Sequence, residues 1–254
     1  MRHLVTLMTL VVALGATVPG HGQTTPKGHL MLNGGGLKTR PMMDRFISLA
    51  GGPEARIVIF LTGTHRKDLV RYYKRLFGEH GCRDVEFADV DSRRDADRPK
   101  IVDLVEGAGG IFFSDGDQRR VAEALFGTPV GEAVRSAYER GAVVGGTAAG
   151  IACMTRLMIT GDGDPTVLTA RNVVLWNGFG FLTDVIIDEH FVAGRHHNRL
   201  ISAVLEHPEL LGIGVDDSTA IWVRPDGTFQ VLGHGWVMVF DASKATVSYQ
   251  NAPE

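Results

Sequence analysis

The sequence predicts an α/β protein with a flavodoxin-like doubly wound, mostly parallel sheet, helices on both faces and an antiparallel extension at its C-terminal end. Three observations predict this class. Apolar, β-branched runs alternate with longer amphipathic runs up to residue 145, glycines mark the ends of the apolar runs, and the runs become shorter after Cys153. Strands that alternate with helices are joined by right-handed crossovers, which produce a parallel sheet covered on both faces.

The individual elements follow from hydrophobic periodicity and from capping residues. The last of the amphipathic runs is closed by Gly141, a typical C-terminal cap of a helix. In chain order, strands are predicted at 29–34, 56–61, 84–90, 110–114 and 142–145, and helices at 67–79, 98–105, 118–126 and 130–140.

The C-terminal part of the chain predicts shorter elements. No linker and no internal repeat interrupts the sequence, so we expect a single domain over residues 28–242 and a loosely attached tail over residues 243–254. The elements expected there are strand-like runs at 166–169, 173–175 and 185–192, a helix at 198–206, a strand-like run at 213–223, and an antiparallel hairpin of 228–232 with 235–241.

The composition excludes several classes of protein. The chain has 254 residues, of which 44% are hydrophobic and 22% charged, and its formal net charge is -3. These values exclude a disordered or collagen-like chain, and there is no excess of basic charge for binding nucleic acid. Glycine is enriched, at 32 residues without a repeating period. Single glycines of this kind are placed where the backbone turns tightly or approaches a ligand.

Residues 1–22 read as a secretory signal peptide: a basic start, an apolar run over 4–18, and small residues near Gly22. The apolar run is shorter than the ~20 residues of a transmembrane helix. We therefore expect a secreted or periplasmic protein without a membrane domain, a retained anchor being the alternative. Cys82 and Cys153 carry no zinc-ligand spacing, and two separate thiols are favoured over a disulfide.

The strongest chemical signal is VVGGTAAGIACM, residues 143–154. A buried strand, a sharp glycine-flanked turn and an apolar helix form the context of a nucleophile elbow, whose pattern is G-x-S-x-G. The central position here is Ala148 rather than serine. A tight strand-to-helix turn whose glycines serve packing alone is the alternative.

The segment GGIFFSDGDQRR, residues 109–120, ends a second buried strand. Backbone N–H groups at such a strand end point into the crevice where ligands of doubly wound sheets bind. The N–H of Gly116 or Asp117, together with that of Ala149, could hold a developing oxyanion. The alternative is a helix N-cap formed by Asp115 or Asp117.

Two further segments carry titratable residues. In DEHFVAGRHHNRL, residues 188–200, His190 could act as a general base, or His190, His196 and His197 could bind a metal. In GIGVDDSTAIWV, residues 212–223, Asp216 and Asp217 interrupt an apolar run, and buried charges of this kind require a partner such as His190 or Arg199. Solvated loops and turns are the alternatives for both segments.

Taken together, these segments resemble the cyanophycinase branch of the S51 serine peptidases, relatives of dipeptidase E in the class I glutamine amidotransferase-like fold. The resemblance covers nearly the whole chain after the signal segment. Its motifs are Gly-Gly-Gly at 34–36, the G-G-D-Q strand end at 115–118, the G-T-S-A-G elbow, the D-Q-H-F segment at 188–191 and the late G-I-G-x-D-E-x-T-A strand at 212–220.

The resemblance implies a catalytic triad at Ala148, His190 and Asp217, in which alanine replaces the serine nucleophile and aspartate replaces the usual glutamate. It implies an oxyanion hole near Gly116 and cleavage of β-aspartyl linkages, in cyanophycin or a related peptide, without metal or organic cofactor. A homodimer is a further possible assembly. Around the implied substrate pocket lie Gln118, Asp188, Glu189, Arg199 and Thr147.

Two departures from the family pattern shape the functional hypotheses. Ala148 removes the attacking oxygen, which in triad enzymes costs about a millionfold in rate. The arginine pattern R-x-R-x-x-R-L aligns with Gly194, His196 and Arg199, so that only the last arginine is kept. Three hypotheses result: a peptidase scaffold with its nucleophile replaced, a protein that binds peptide or polymer without cutting it, and a metal-assisted hydrolase that uses the three histidines.

Overall fold

The computed structural model describes residues 28–62, 67–169 and 171–246. The predicted signal segment, residues 1–22, and residues 247–254 of the predicted tail lie outside the described residues. The strands are β1 (Leu30–Asn33), β2 (Ile57–Phe60), β3 (Val85–Ala88), β4 (Gly110–Phe113), β5 (Val143–Thr147), β6 (Leu157–Ile159), β7 (Leu175–Asn177), β8 (Val185–Asp188), β9 (Leu211–Val215), β10 (Thr219–Val223), β11 (Phe229–Gly233) and β12 (Val237–Asp241). The helices are α1 (Arg40–Leu49), α2 (Lys67–Glu79), α3 (Pro99–Glu106), α4 (Gln118–Leu125), α5 (Pro129–Glu139), α6 (Ala149–Ala152) and α7 (His197–Glu206).

A seven-stranded sheet with the order β11-β10-β1-β5-β4-β2-β3 forms the centre of the molecule. The pairs from β1 through β5, β4 and β2 to β3 are parallel, whereas β10 and β11 add antiparallel strands beyond β1. The order β3-β2-β4-β5 is that of a doubly wound sheet. The predicted fold class, including its antiparallel extension, is therefore confirmed.

Both faces of this sheet are covered. Alternate residues of β1 point to opposite faces, with Leu30 and Leu32 in one hydrophobic cluster and Met31 in another. Helices α3, α4 and α5 pack into the first cluster, and α1 and α2 into the second. Each fully buried Leu, Ile or Phe side chain contributes about 1.5–3 kcal/mol. This packing holds the carboxyl ends of the parallel strands at one edge, where ligands of such sheets bind.

The predicted hairpin of 228–232 with 235–241 is wrong. Strand β11 pairs with β10 in the large sheet, and β12 pairs with β9 in a second sheet of order β12-β9-β8. The predicted run 213–223 is likewise two strands in two sheets, joined by a turn at residues 216–218. In this turn both aspartates have hydrogen-bond partners: Asp216 accepts from Val192 N, and Asp217 bonds to His190 Nδ1.

Other elements differ from expectation more locally. Residues 166–169 do not form a strand, because Asp164 Oδ1 accepts from both Thr166 N (2.8 Å) and Thr166 Oγ1 (2.6 Å) and stabilises a turn instead. Strand β7, which pairs with β6, begins only at Leu175. Helix α1 was not predicted, although it starts with a proline in its first turn, a recognised signal. In the described part of the chain, no helix is long and apolar enough to span a bilayer.

Candidate active site

The end of β1 organises three separate loops through its backbone. Three consecutive carbonyl groups, those of residues 33 to 35, each accept a hydrogen bond from a backbone N–H of a different loop. The bonded loops contain the predicted elbow, the predicted histidine and the turn between β9 and β10. The bonds run from Ala148 N to Asn33 O (3.0 Å), from His190 N to Gly34 O (2.8 Å) and from Ser218 N to Gly35 O (2.9 Å). Segments distant in sequence therefore meet at one strand end.

Ala148 occupies the sharp turn between β5 and α6. Its backbone angles, φ 50° and ψ -124°, are ones that residues other than glycine rarely adopt, and its side chain is buried. The flanking Gly146 and Gly150 lie against the end of β4, where an added Cβ would stand 2.8 Å and 2.5 Å from Phe113 O. The turn therefore has the strained, glycine-flanked geometry of a nucleophile elbow, with Ala148 at its centre.

His190 and Asp217 form a hydrogen-bonded pair. His190 Nδ1 lies 2.5 Å from Asp217 Oδ1, and the two side chains are 37% and 40% exposed. A carboxylate at Nδ1 keeps the proton on that nitrogen and leaves Nε2 to accept a proton from a nucleophile. His190 and Ser218, which follows Asp217, both have positive φ. Strained residues of this kind cluster at functional sites.

Gly35 separates β1 from the His190–Asp217 pair. Its φ is +141°, and a Cβ added there would overlap both the imidazole of His190 and the carboxylate of Asp217. Gly35 N donates to Asn33 Oδ1 (2.8 Å), which bends the chain directly after β1. The glycine therefore allows the backbone to lie against the paired side chains.

Asp216 has a different partner from its neighbour. Its Oδ1 accepts hydrogen bonds from the backbone N–H groups of Val192 and Ala193, each at 3.0 Å. It is buried, so these bonds replace the water that its carboxylate loses. Of the two adjacent aspartates, one thus contacts the histidine ring and the other fixes the loop that follows the histidine.

The predicted oxyanion donors lie at two neighbouring strand ends. Ala149 is the first residue of α6, a position whose N–H has no acceptor within a helix. Gly116 N donates to Asp115 Oδ1 (2.8 Å). Asp117 is the N-cap of α4 and accepts from Arg119 N (2.9 Å). Burial acts to raise the pKa of Asp117, but hydrogen bonds from Arg119 outweigh it and hold the pKa below its usual value.

Asp188, Glu189 and Arg199 are buried and form a polar cluster with the partly buried His196. Arg199 Nε donates to Asp188 Oδ2 (3.0 Å), and His196 Nδ1 donates to Glu189 O (2.8 Å). Burial acts to lower the pKa of His196, but Asp188 raises it overall. Burial, together with Asp188, raises the pKa of Glu189. Among the described residues, Glu189 Oε2 has no hydrogen-bond partner.

The other polar residues predicted for the pocket are also buried. Gln118 Nε2 donates to Ile159 O (2.8 Å), so its side-chain amide is bonded to the protein backbone. Thr147 Oγ1, one residue before the elbow, has no hydrogen-bond partner in the described ranges. Gln118 and Thr147 are therefore buried within the fold, and Thr147 directly precedes Ala148.

The metal hypothesis is wrong for the described part of the chain, in which no three His, Cys, Asp or Glu residues are grouped as metal ligands. The three histidines have separate partners. His190 contacts Asp217, His196 contacts Glu189 O, and the His197 ring packs at 4.7 Å from the ring of Phe191.

Cys82 and Cys153 are both buried free thiols, as favoured from the sequence. Burial raises the pKa of Cys153 to about 12, so it stays a protonated thiol at neutral pH although it follows the elbow helix.

A doubly wound sheet that holds a strained strand-to-helix elbow and a hydrogen-bonded histidine–carboxylate pair at one strand end is an arrangement typical of hydrolases. Comparison with known proteins identifies the family within this class. Residues 30–231 match the model of peptidase family S51, and the chain belongs to this family. The cyanophycinase-like resemblance inferred from the motifs is confirmed.

Curated relatives and solved structures agree with this placement. The chain is 34% identical over 236 residues to a cyanophycinase of Synechococcus elongatus, covering 91% of this chain and 73% of the relative. It is 34% identical over 228 residues to a cyanophycinase of a Nostoc species, covering 88% and 76%. The crystal structure of a peptidase from an acI-B1 actinobacterium superposes with a TM-score of 0.67 at 24% identity, covering 86% of this chain and 93% of that one, which supports the fold.

Proposed function

We propose that this chain is a cyanophycinase-like peptidase scaffold, built to hydrolyse β-aspartyl peptide bonds through an acyl-enzyme. Ala148 occupies the nucleophile position, so the chain as it stands binds its peptide and cuts it weakly or not at all. The substrate class is supported by the curated relatives, which are named cyanophycinases. Cyanophycin itself or a related β-aspartyl peptide is the expected ligand.

The observation that carries this proposal is the strained backbone of Ala148, held at the same strand end as the loop of His190, which pairs with Asp217. Holding a residue with a Cβ in such a conformation costs about 1–3 kcal/mol. If the turn served packing alone, glycine at position 148 would avoid this strain. Position 148 instead carries alanine, whose N–H bonds to the same strand end as His190 N. This supports an elbow that presents a side chain.

With serine at position 148, the surrounding groups supply the remaining chemistry. His190 Nε2 would take the hydroxyl proton as the oxygen attacks the peptide carbonyl, and Asp217 would stabilise the imidazolium through Nδ1. The N–H of Ala149, with that of Gly116 or Asp117, would stabilise the oxyanion. His190 would then protonate the leaving amine, and water, deprotonated by His190, would hydrolyse the ester.

The alternative is a protein whose function is binding alone. Ala148 favours it, because a methyl group leaves room for a substrate but provides no attacking atom. Both versions predict that the protein as it stands binds a β-aspartyl peptide. They differ in whether the rest of the catalytic apparatus still functions once an oxygen is provided.

The test is Ala148→Ser. We expect this variant to gain hydrolysis of a β-aspartyl dipeptide by at least about a thousandfold over the unaltered protein, and to be labelled covalently by a serine-directed phosphonate. Ala152→Ser, in the same short helix, provides the matched control and should gain neither property. If Ala148→Ser stays inert and unlabelled while the unaltered protein binds the peptide, the binding function replaces the peptidase proposal.

A further inference from the structure

A cavity of about 360 Å³ lies at the edge of the large sheet opposite the candidate active site. Its walls come from α5, from the segment that precedes β8, and from the turn between β10 and β11. Val223, which lines the cavity, pairs with Leu30 at the start of β1, whereas the candidate active site forms beyond Asn33, where β1 ends. The cavity is therefore separate from the loops of the candidate active site.

Two half-buried arginines line this cavity, and neither forms an ion pair with a carboxylate of the described residues. Arg135 Nη2 donates to Phe179 O at 2.5 Å. Arg224 Nη1 donates to Thr228 Oγ1 and its Nη2 to Gln230 Oε1, each at 3.2 Å. All three acceptors are neutral, and a guanidinium group has more N–H donors than these bonds use. Both arginines therefore keep the charge and the donors to bind an anion.

Aromatic rings orient both guanidinium groups before any ligand is bound. Arg135 Cζ lies 5.8 Å from the centroid of the Phe181 ring, and Arg224 Cζ lies 4.3 Å from that of the Trp222 ring. A guanidinium group over an aromatic face is held by cation–π attraction. Because these side chains are already restricted, they lose less conformational entropy when an anion binds.

The acidic residues near these arginines limit the charge of the ligand. Asp226, in the same turn as Arg224, accepts hydrogen bonds from Thr228 N (2.9 Å) and Thr228 Oγ1 (2.7 Å). Glu139, one helical turn after Arg135, also lines the cavity. Two guanidinium groups and one carboxylate group thus line the cavity, which leaves one net positive charge. This balance favours a ligand with a single negative charge over a multiply charged one such as phosphate.

The rest of the cavity wall is partly apolar. The rings of Tyr138 and Phe181, whose centroids are 4.7 Å apart, both line it, as do the aliphatic side chains of Leu182 and Val223. Apolar walls with a few charged groups are typical of sites for small organic molecules.

We propose that this cavity binds a small monocarboxylate with an apolar body. Arg135 and Arg224 bind the carboxylate, as guanidinium groups do through paired N–H donors. The apolar body packs against Tyr138 and Phe181. The inference goes beyond the proposed function and does not depend on it, because the residues that line this cavity take no part in the candidate active site.

The test measures binding by calorimetry at pH 8 with four probes. Phenylacetate has both features of the proposed ligand, phenylacetamide lacks the charge, acetate lacks the apolar body, and inorganic phosphate carries a second negative charge. The variants are Arg135→Gln and Arg224→Gln, and Arg71→Gln, an exposed arginine in α2, is the matched control. His190→Ala shows whether a probe binds in the candidate active site instead. Melting temperatures check that each variant is folded, and the comparison of the four probes on the unaltered protein needs no variant.

We expect phenylacetate to bind the unaltered protein about 10- to 100-fold more tightly than phenylacetamide, as charged hydrogen bonds imply. Acetate and phosphate should each bind about tenfold more weakly than phenylacetate, or weaker still. Either cavity variant should weaken phenylacetate by about tenfold or more, whereas Arg71→Gln and His190→Ala should leave its affinity unchanged.

Four results would overturn the site. They are no binding of phenylacetate, binding of phenylacetamide or phosphate as tight as that of phenylacetate, an unchanged affinity in both cavity variants, and a loss of binding in His190→Ala.

Discussion

His190 Nδ1 lies 2.5 Å from Asp217 Oδ1, although the two residues are 27 positions apart and lie on loops that follow different strands. The contact depends on the end of β1, whose carbonyls at Gly34 and Gly35 accept from His190 N and Ser218 N. The same strand end accepts from Ala148 N. A single strand terminus therefore holds the three loops that carry Ala148, His190 and Asp217.

The first prediction concerns the charge of Asp217. In the Ala148→Ser background, Asp217→Asn should lower kcat for a β-aspartyl dipeptide by about 10⁴-fold, because an amide favours the wrong tautomer of His190. Thermal unfolding should show that the variant stays folded. Asp226→Asn, in the exposed turn before β11, is the control and should leave kcat unchanged. A loss of less than tenfold in Asp217→Asn would remove Asp217 from the catalytic unit.

The second prediction concerns the close approach at Gly35. Gly35→Ala should abolish activity in the Ala148→Ser background, because the added methyl overlaps both His190 and Asp217. Gly52→Ala separates this clash from backbone strain alone: Gly52 also has positive φ (+98°), but no heavy atom lies within 4 Å of its added Cβ. We expect Gly52→Ala to lower the melting temperature slightly and to retain activity. Equal activity of the two variants would contradict the proposed contact.

Much of the fold could be predicted because the parallel strands are short apolar runs between capped helices. Helix α2 spans the predicted residues 67–79, and the five parallel strands fall at their predicted places. The sheet to which a later strand belongs could not be predicted in this way. Strands β9 and β10 have similar apolar patterns, yet they join different sheets, because strand pairing depends on tertiary contacts rather than on local propensity.

The candidate site could be predicted only where function requires a particular side chain. Ala148, His190 and Asp217 stand in recognisable motifs. The carbonyl of Asn33 and the carboxylate of Asp216 bind backbone N–H groups instead. Every residue type except proline offers a backbone N–H, so these contacts do not require particular residues in the loops that donate the hydrogen bonds.

The third prediction is that Asp216 stabilises the loop after His190 by accepting hydrogen bonds from its backbone. Asp216→Ala should destabilise the protein by about 1–3 kcal/mol, because it leaves the N–H groups of Val192 and Ala193 without their acceptor. Asp216→Asn keeps an oxygen acceptor and should retain most of the stability. Urea unfolding measures both variants. In the Ala148→Ser background, kcat should follow the same order, and an Asn variant as damaging as the Ala variant would show that charge, rather than the acceptor, is required.

The last prediction concerns Glu189, whose buried Oε2 has no partner within the described ranges and whose pKa is raised by burial and by Asp188. Between its ordinary pKa of 4.5 and the raised native value, the folded state keeps a proton that the unfolded state has released. Stability therefore falls as pH rises through this window. His196, with a raised pKa and an ordinary value of 6.5, adds stability that is also lost as pH rises, but at higher pH.

Glu189→Gln removes the first of these effects and leaves the second, so the difference between the variant and the unaltered protein isolates Glu189. We expect the variant to be more stable by about 1 kcal/mol at pH 8, because an amide avoids the cost of a buried, incompletely bonded carboxylate. At pH 4, where Glu189 is protonated in both states, the difference should shrink towards zero. Glu123→Gln, on the exposed side of α4, controls for the general effect of removing a negative charge. Melting temperatures from pH 4 to pH 8 measure both variants, and a gain for Glu189→Gln that is the same at every pH would show that ionisation of Glu189 does not cause it.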